Sequence, residues 1–209
     1  MGNKKLSKDP YNLIITGVGG QGNVLASRLV GNMMLRQGLY ITIGETFGAS
    51  QRGGSVMSHL RISEQKTWSP QIPKGKADMV VSLEPTEAIR LLNTYGNPQV
   101  KVLTNTRAVQ PVDVIAGEKK YPSMEEISKP LKELTSEVWF INATEEAMKL
   151  GNPILGNTIM LGALAATEVI PIEREDFKGV ITETMGESRL EMNLKAFDLG
   201  VDLIRQPAA

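Results

Sequence analysis

Two hydrophobic rhythms alternate along this chain of 209 residues, one a short apolar or period-two run and the other a helical repeat. Leu13, Ile14 and Ile15 form the first run and predict a strand over Tyr11–Thr16. From Val24 onward Leu25, Leu29, Val30, Met33 and Met34 repeat at helical spacing as far as Gly38, a residue suited to ending a helix. Tyr40 to Gly44 is rich in β-branched residues. Ser55 to Ile62 alternates, placing Val56, Ser58, Leu60 and Ile62 on one side of a strand and Ser55, Met57, His59 and Arg61 on the other. The apolar runs Ala77–Leu83, Val100–Thr104 and Val138–Ile141 read as further strands. Pro85 opens a helix to about Tyr95. Ser123 with Glu126 forms a capping box for a helix that Pro130 interrupts or kinks, and Asn142 with Glu145 caps another to Leu150.

Beyond Asn157 the residues Ile159, Met160, Leu161 and Leu164 stand among Gly162, Ala163, Ala165 and Ala166, apolar nearly all round. This is the composition of a helix packed on several sides, within the domain or in a subunit contact. Helical patterns over 175–185 and 188–205 close the chain. The expectation is a single three-layer α/β/α domain over residues 11–205, with a largely parallel or mixed sheet of about five to seven strands and a Rossmann-like start. Residues 1–10 are expected to be a flexible tail and 206–209 a short C-terminal one.

The chemistry concentrates where the first strand meets the first helix. Gly17, Gly19, Gly20 and Gly22 surround Gln21 in a strand, glycine-rich turn, helix order, which collects backbone N–H groups and the positive end of a helix dipole around an anion. The same spacing also suits a sharp βα turn that binds nothing. Glu45 follows Gly22 by 23 residues, close to where a dinucleotide fold places an acid for the ribose hydroxyls, so a free-standing NAD-type nucleotide-binding protein using Gly17, Gly19, Gly22 and Glu45 is an open alternative. A second polar, glycine-bearing loop, Thr46 to Gly54, holds Ser50 and Arg52 beside Gly53 and Gly54, and both loops could face one ligand. His59 is the sole histidine; a packing role outweighs a general-base role for such a strand residue. Trp68 could anchor its loop or a partner.

Composition narrows the field. Lys plus Arg (23) balance Asp plus Glu (23) without long blocks of either sign, which argues against nucleic acid or a membrane surface as partner. The chain has no cysteine, so it can supply no disulfide, thiolate zinc site or cysteine-ligated iron–sulfur cluster. The N-terminal segment lacks an apolar leader and no stretch reaches membrane-span length, so a cytoplasmic location is expected.

Three stretches taken together, GVGGQGNVLASR over 17–28, FGASQRGGSVMSHLRIS over 47–63 and NTIMLGA over 157–163, resemble the gamma-type domain of the 2-oxoacid:ferredoxin oxidoreductases. Within that family the likeness points to the small beta subunits of the indolepyruvate enzymes, and it covers the chain from about Tyr11 to Arg205. The resemblance implies a subunit that is inactive alone. Its complex would convert indolepyruvate or another arylpyruvate to acyl-coenzyme A, carbon dioxide and reduced ferredoxin. Thiamine diphosphate, magnesium and iron–sulfur clusters of the 4Fe–4S type are expected on a large partner subunit, in keeping with the absence of cysteine here. The chain itself is expected to shape the active site and help hold coenzyme A without performing covalent chemistry. Carried onto these positions, Gly17, Gly19, Gly20, Gln21, Gly22 and Asn23 face the ligand or the partner. Arg28, Ser50 and Arg52 with Gly53 and Gly54 are candidate contacts, as are Asn157 and Thr158, which could instead be an ordinary N-cap. Relatives carry lysines near Arg28 and at Ser50 and Gln51, so the details of a coenzyme A contact differ in this chain.

Overall fold

A six-stranded sheet with the order β2-β3-β1-β4-β5-β6 runs through the computed structural model, which describes residues 6–47 and 54–206. The strands are β1 (Tyr11–Val18), β2 (Tyr40–Phe47), β3 (Ser55–Ser63), β4 (Met79–Ser82), β5 (Lys101–Asn105) and β6 (Glu137–Ile141). β1, β4, β5 and β6 are parallel, whereas β3 is antiparallel to both β1 and β2. The helices among the described residues are α1 (Asn23–Arg36), α2 (Pro85–Tyr95), α3 (Val112–Ile115), α4 (Met124–Leu134), α5 (Ala143–Lys149), α6 (Gly156–Ala166), α7 (Arg174–Met185) and α8 (Leu190–Arg205). The fold is α/β with a mixed sheet, as the hydrophobic pattern predicts. Ser50, Arg52 and Gly53 lie outside the described residues.

Alternation along β1 divides the core. Leu13 and Ile15 point to the face covered by α1 and α5–α8, and Ile14 points to the face covered by α2 and α4. The first connection after β1 therefore leaves on one face and the connection after β4 on the other. That change of side opens a crevice beyond the carboxyl ends of β1 and β4.

Two features depart from the expected layout. β2 does not lie beside β1, because β3 folds back between them and pairs Ile14 with His59 and His59 with Gly44. The simple βαβ start is therefore opened by one antiparallel strand, which moves Glu45 an extra strand spacing of about 4.8 Å from the glycine turn. In α4 the helix runs through Pro130 without a break, its entry secured by the reciprocal Ser123–Glu126 capping box.

The small-residue helix α6 is buried within the domain against α8. A side chain on Gly162 would collide with the carbonyl of Phe197, and one on Gly200 with the carbonyl of Ile159. Missing Cβ atoms on both helices let the backbones approach, and the stacked Phe177 and Phe197 rings, 4.4 Å between centroids, fill the space beside them. Trp68 is likewise used internally, its ring lying 5.0 Å from the Arg61 guanidinium and 4.8 Å from Lys66 Nζ. At the other end of the sheet, Lys8 pairs with Asp78 at 2.6 Å and the Leu6 amide donates to Glu64. No helix among the described residues is long and apolar enough to cross a membrane.

Candidate functional site

The glycine turn closes on itself before it faces outward. Gly20 and Gly22 have φ of 103° and 85°, which only glycine adopts without strain, and their order reverses the chain from β1 into α1. Gln21 locks the turn: its Oε1 accepts from the Val18 amide at 2.7 Å and its Nε2 donates to the Leu83 carbonyl at 2.9 Å. A Cβ on Gly17 would occupy the space of that glutamine side chain. The Gly19 amide donates to Gly54 O and the Gln21 amide to Val18 O, so those two N–H groups are already spent. Among the described residues, what stays open is the N-terminus of α1, whose cap residue Gly22 offers no side chain and whose first turn carries no acid.

This open helix end faces a cleft of about 540 Å³ beyond the ends of β1, β4 and β5. Gly20, Gln21 and Gly22 form one wall, Leu83 and Asn105 mark the strand ends, and Gly156 and Asn157 of α6 continue the lining, with Asn157 against Gly22. Leu25, Ile154 and Met160 add an apolar side. The α6 end differs from the α1 end, because a single 3-10 turn, Pro153–Leu155, leads into it. Asn152 caps that turn through Ile154 N, and the Gly156 amide bonds to Pro153 O. α6 therefore brings its dipole to the cleft while its first amide, that of Gly156, is used locally. Asn157 and Thr158 lie inside its first turn and do not cap it. Thr158 is turned inward and donates its hydroxyl to Asn193.

Of the remaining expected contacts, Asn23 is buried, its Nδ2 reaching Val18 O at 3.4 Å and its Oδ1 unpartnered among the described residues. Arg28 is exposed on α1 and does not line the cleft. Gly54 serves through its carbonyl. Glu45 and His59 also lie off the cleft. His59 is buried against the edge of the Tyr95 ring with both nitrogens unpartnered among the described residues, and burial lowers its pKa.

The pattern reading passed over Asn105 and Arg107, which directly follow the Val100–Thr104 run. Both line the cleft. The available signal was positional, since polar residues at the carboxyl end of a buried parallel strand stand where α/β sheets bind ligands. Their loop is held by Glu84, only 1% exposed, which caps α2 through Glu87 N at 3.0 Å and also accepts from the Tyr121 hydroxyl and from Val109 N at 3.5 Å. Burial first, then the hydrogen bond to Glu84 and its charge, raises the Tyr121 pKa.

Comparison with known proteins decides what kind of chain carries this cleft. Residues 12–203 match the family described as pyruvate ferredoxin/flavodoxin oxidoreductase. The chain belongs to that family. Indolepyruvate oxidoreductase subunit IorB of Pyrococcus horikoshii is 39% identical over 197 residues, covering 94% of this chain and 96% of the relative. The keto/oxoacid ferredoxin oxidoreductase gamma subunit of Geobacter sulfurreducens shares the fold, with a TM-score of 0.65 at 20% identity over 93% of this chain and 98% of that one. So does 2-oxoglutarate:ferredoxin oxidoreductase of Magnetococcus marinus, solved with 2-oxoglutarate, coenzyme A and succinyl-CoA bound. The TM-score is 0.74 at 21% identity, over 97% of this chain and 32% of that one. In the pyruvate ferredoxin/flavodoxin oxidoreductase family, then, this chain has the length and sequence of a small subunit of the IorB kind.

Proposed function

We propose that this protein is the small, non-redox subunit of an indolepyruvate or other arylpyruvate ferredoxin oxidoreductase and that its cleft helps hold coenzyme A. Family membership and the likeness to IorB support the subunit role. The observation that carries the coenzyme A reading is the open N-terminus of α1 facing a cleft at the carboxyl ends of parallel strands, a place where backbone N–H groups and a helix dipole suit phosphate oxygens. Thiamine diphosphate on the large subunit supplies the decarboxylation chemistry when it is bound. This chain binds and orients the acyl acceptor: the α1 terminus fixes a phosphate, and Leu25, Ile154 and Met160 keep water from the apolar part of the bound molecule. Without cysteine it has no thiolate for a cluster, so electrons pass elsewhere in the complex.

The test is purification from native cells under anaerobic conditions. A large subunit bearing thiamine and iron should copurify, and the complex should reduce viologen when given an arylpyruvate and coenzyme A. The chain alone should be colourless and inactive. Activity of the chain alone, or an intact complex with no affinity for coenzyme A, would refute this reading.

A further inference from the structure

Beside the glycine turn, where Gln21 and Asn105 share the Leu83 carbonyl, two residues that line the cleft are held ready and left unused. Asn105 is 4% exposed; its Nδ2 donates to Leu83 O at 3.2 Å and to Thr144 Oγ1 at 2.9 Å, and its Oδ1 has no partner among the described residues. The Leu83 carbonyl can only accept, so the amide group must face it and the oxygen is the free end. A buried acceptor left without a donor is costly, which points to a donor arriving with a ligand. Two residues on, Arg107 is exposed and has neither an ion pair nor a hydrogen bond among the described residues, in contrast to Arg36, Arg90 and Arg174, each of which has a carboxylate. Its backbone is pinned on both sides, by Thr106 N to Ile141 O at 2.8 Å and by Val109 N to Glu84. A free guanidinium on an anchored loop that lines the same cleft as an open helix terminus is arranged for an anion.

We infer that Asn105 and Arg107 form the reading arm of this cleft. Arg107 pairs with a phosphate seated at the α1 terminus, and Asn105 Oδ1 accepts a hydrogen bond from an N–H or O–H of the same molecule. A phosphorylated pantetheine arm offers both. The inference rests on the coenzyme A reading and adds the residues that select within it.

The experiment is calorimetric titration of the protein as purified, with any large subunit that accompanies it. The probes are coenzyme A, 4′-phosphopantetheine, and sulfate as a competitor that has anionic oxygens but no donor at neutral pH. Arg107→Met should weaken both organic probes about tenfold or more, the factor equivalent to about 1.4 kcal/mol, and should abolish competition by sulfate. Asn105→Leu should weaken the organic probes about fivefold and leave sulfate unaffected, without lowering the melting temperature of the ligand-free protein, because Leu83 O keeps its bond from Gln21 and the half-buried Thr144 hydroxyl, which lines the cleft, can turn to water. Unchanged affinity in Arg107→Met, or a lowered melting temperature with unchanged affinity in Asn105→Leu, would overturn this inference while the coenzyme A reading stood. Failure of the unsubstituted protein to bind any probe would overturn both.

Discussion

The side-chain amide of Asn157 occupies the space that a Cβ on Gly22 would need, so the ends of α1 and α6 meet at this point and Asn157 must turn aside for any larger residue. Gly22 also has φ of 85°. A Gly22→Ala change therefore meets two penalties. The left-handed backbone costs about 1–2 kcal/mol and the overlap adds to it. In an Asn157→Ala background the overlap disappears and the backbone term stays. Denaturant unfolding of the four proteins in the double-mutant cycle should thus show a smaller loss for Gly22→Ala when Asn157 is already alanine. Equal losses in both backgrounds would mean that the two helix ends are not in contact.

Gly162→Ala should destabilise the isolated chain by about 3 kcal/mol or prevent folding, because the added carbon would strike the Phe197 carbonyl and force α6 from α8. The effect needs no partner, since α6 is covered by its own domain. A variant that unfolds normally alone yet loses its large subunit would instead place α6 at a subunit contact.

His59 makes stability depend on pH. Burial lowers its folded pKa below the unfolded value of about 6.5, so the unfolded chain takes up the proton first and stability declines as pH falls below about 6.5. His59→Phe keeps a ring against Tyr95 and removes two nitrogens that have no partner among the described residues. The variant should match or exceed the original protein near pH 8 and should fall less steeply between pH 7 and 5. Parallel unfolding profiles across that range would exclude a contribution from His59.

Tyr121→Phe removes the hydroxyl that ties the Arg107 loop to Glu84. The expected loss is about 1–2 kcal/mol, with faster amide hydrogen exchange over residues 106–121. Because the Tyr121 pKa is raised in the fold, this contribution holds below about pH 10 and is lost as pH rises further. The variant's deficit should therefore shrink in strong alkali. Unaltered exchange in that segment would show that the loop is held by other contacts.

Much of the fold was legible because each strand and helix carries its own local pattern. The runs at Leu13–Ile15 and Val80–Val81, the alternation over Ser55–Ile62, and the caps at Ser123 and Asn142 all depend on neighbours within a few residues. The glycine turn was legible for the same reason, since positive φ at Gly20 and Gly22 is a local demand. Arg28 shows the limit: helix periodicity places it near the turn in sequence but cannot say that Leu25, three residues earlier, is the residue that lines the cleft.

By itself, then, the sequence determined the element types, the glycine turn and the exclusion of cysteine chemistry, since all three follow from residue identity and short-range spacing. Only the tertiary structure decided that β3 lies between β1 and β2, that Gly162 and Gly200 bring α6 and α8 together inside the domain, and that Asn105 and Arg107 line one cleft with the glycine turn. Strand order and facing pairs arise from contacts between residues far apart in the chain. Those contacts are settled by burying both faces of one sheet at once, and no local pattern records which distant partner completes them.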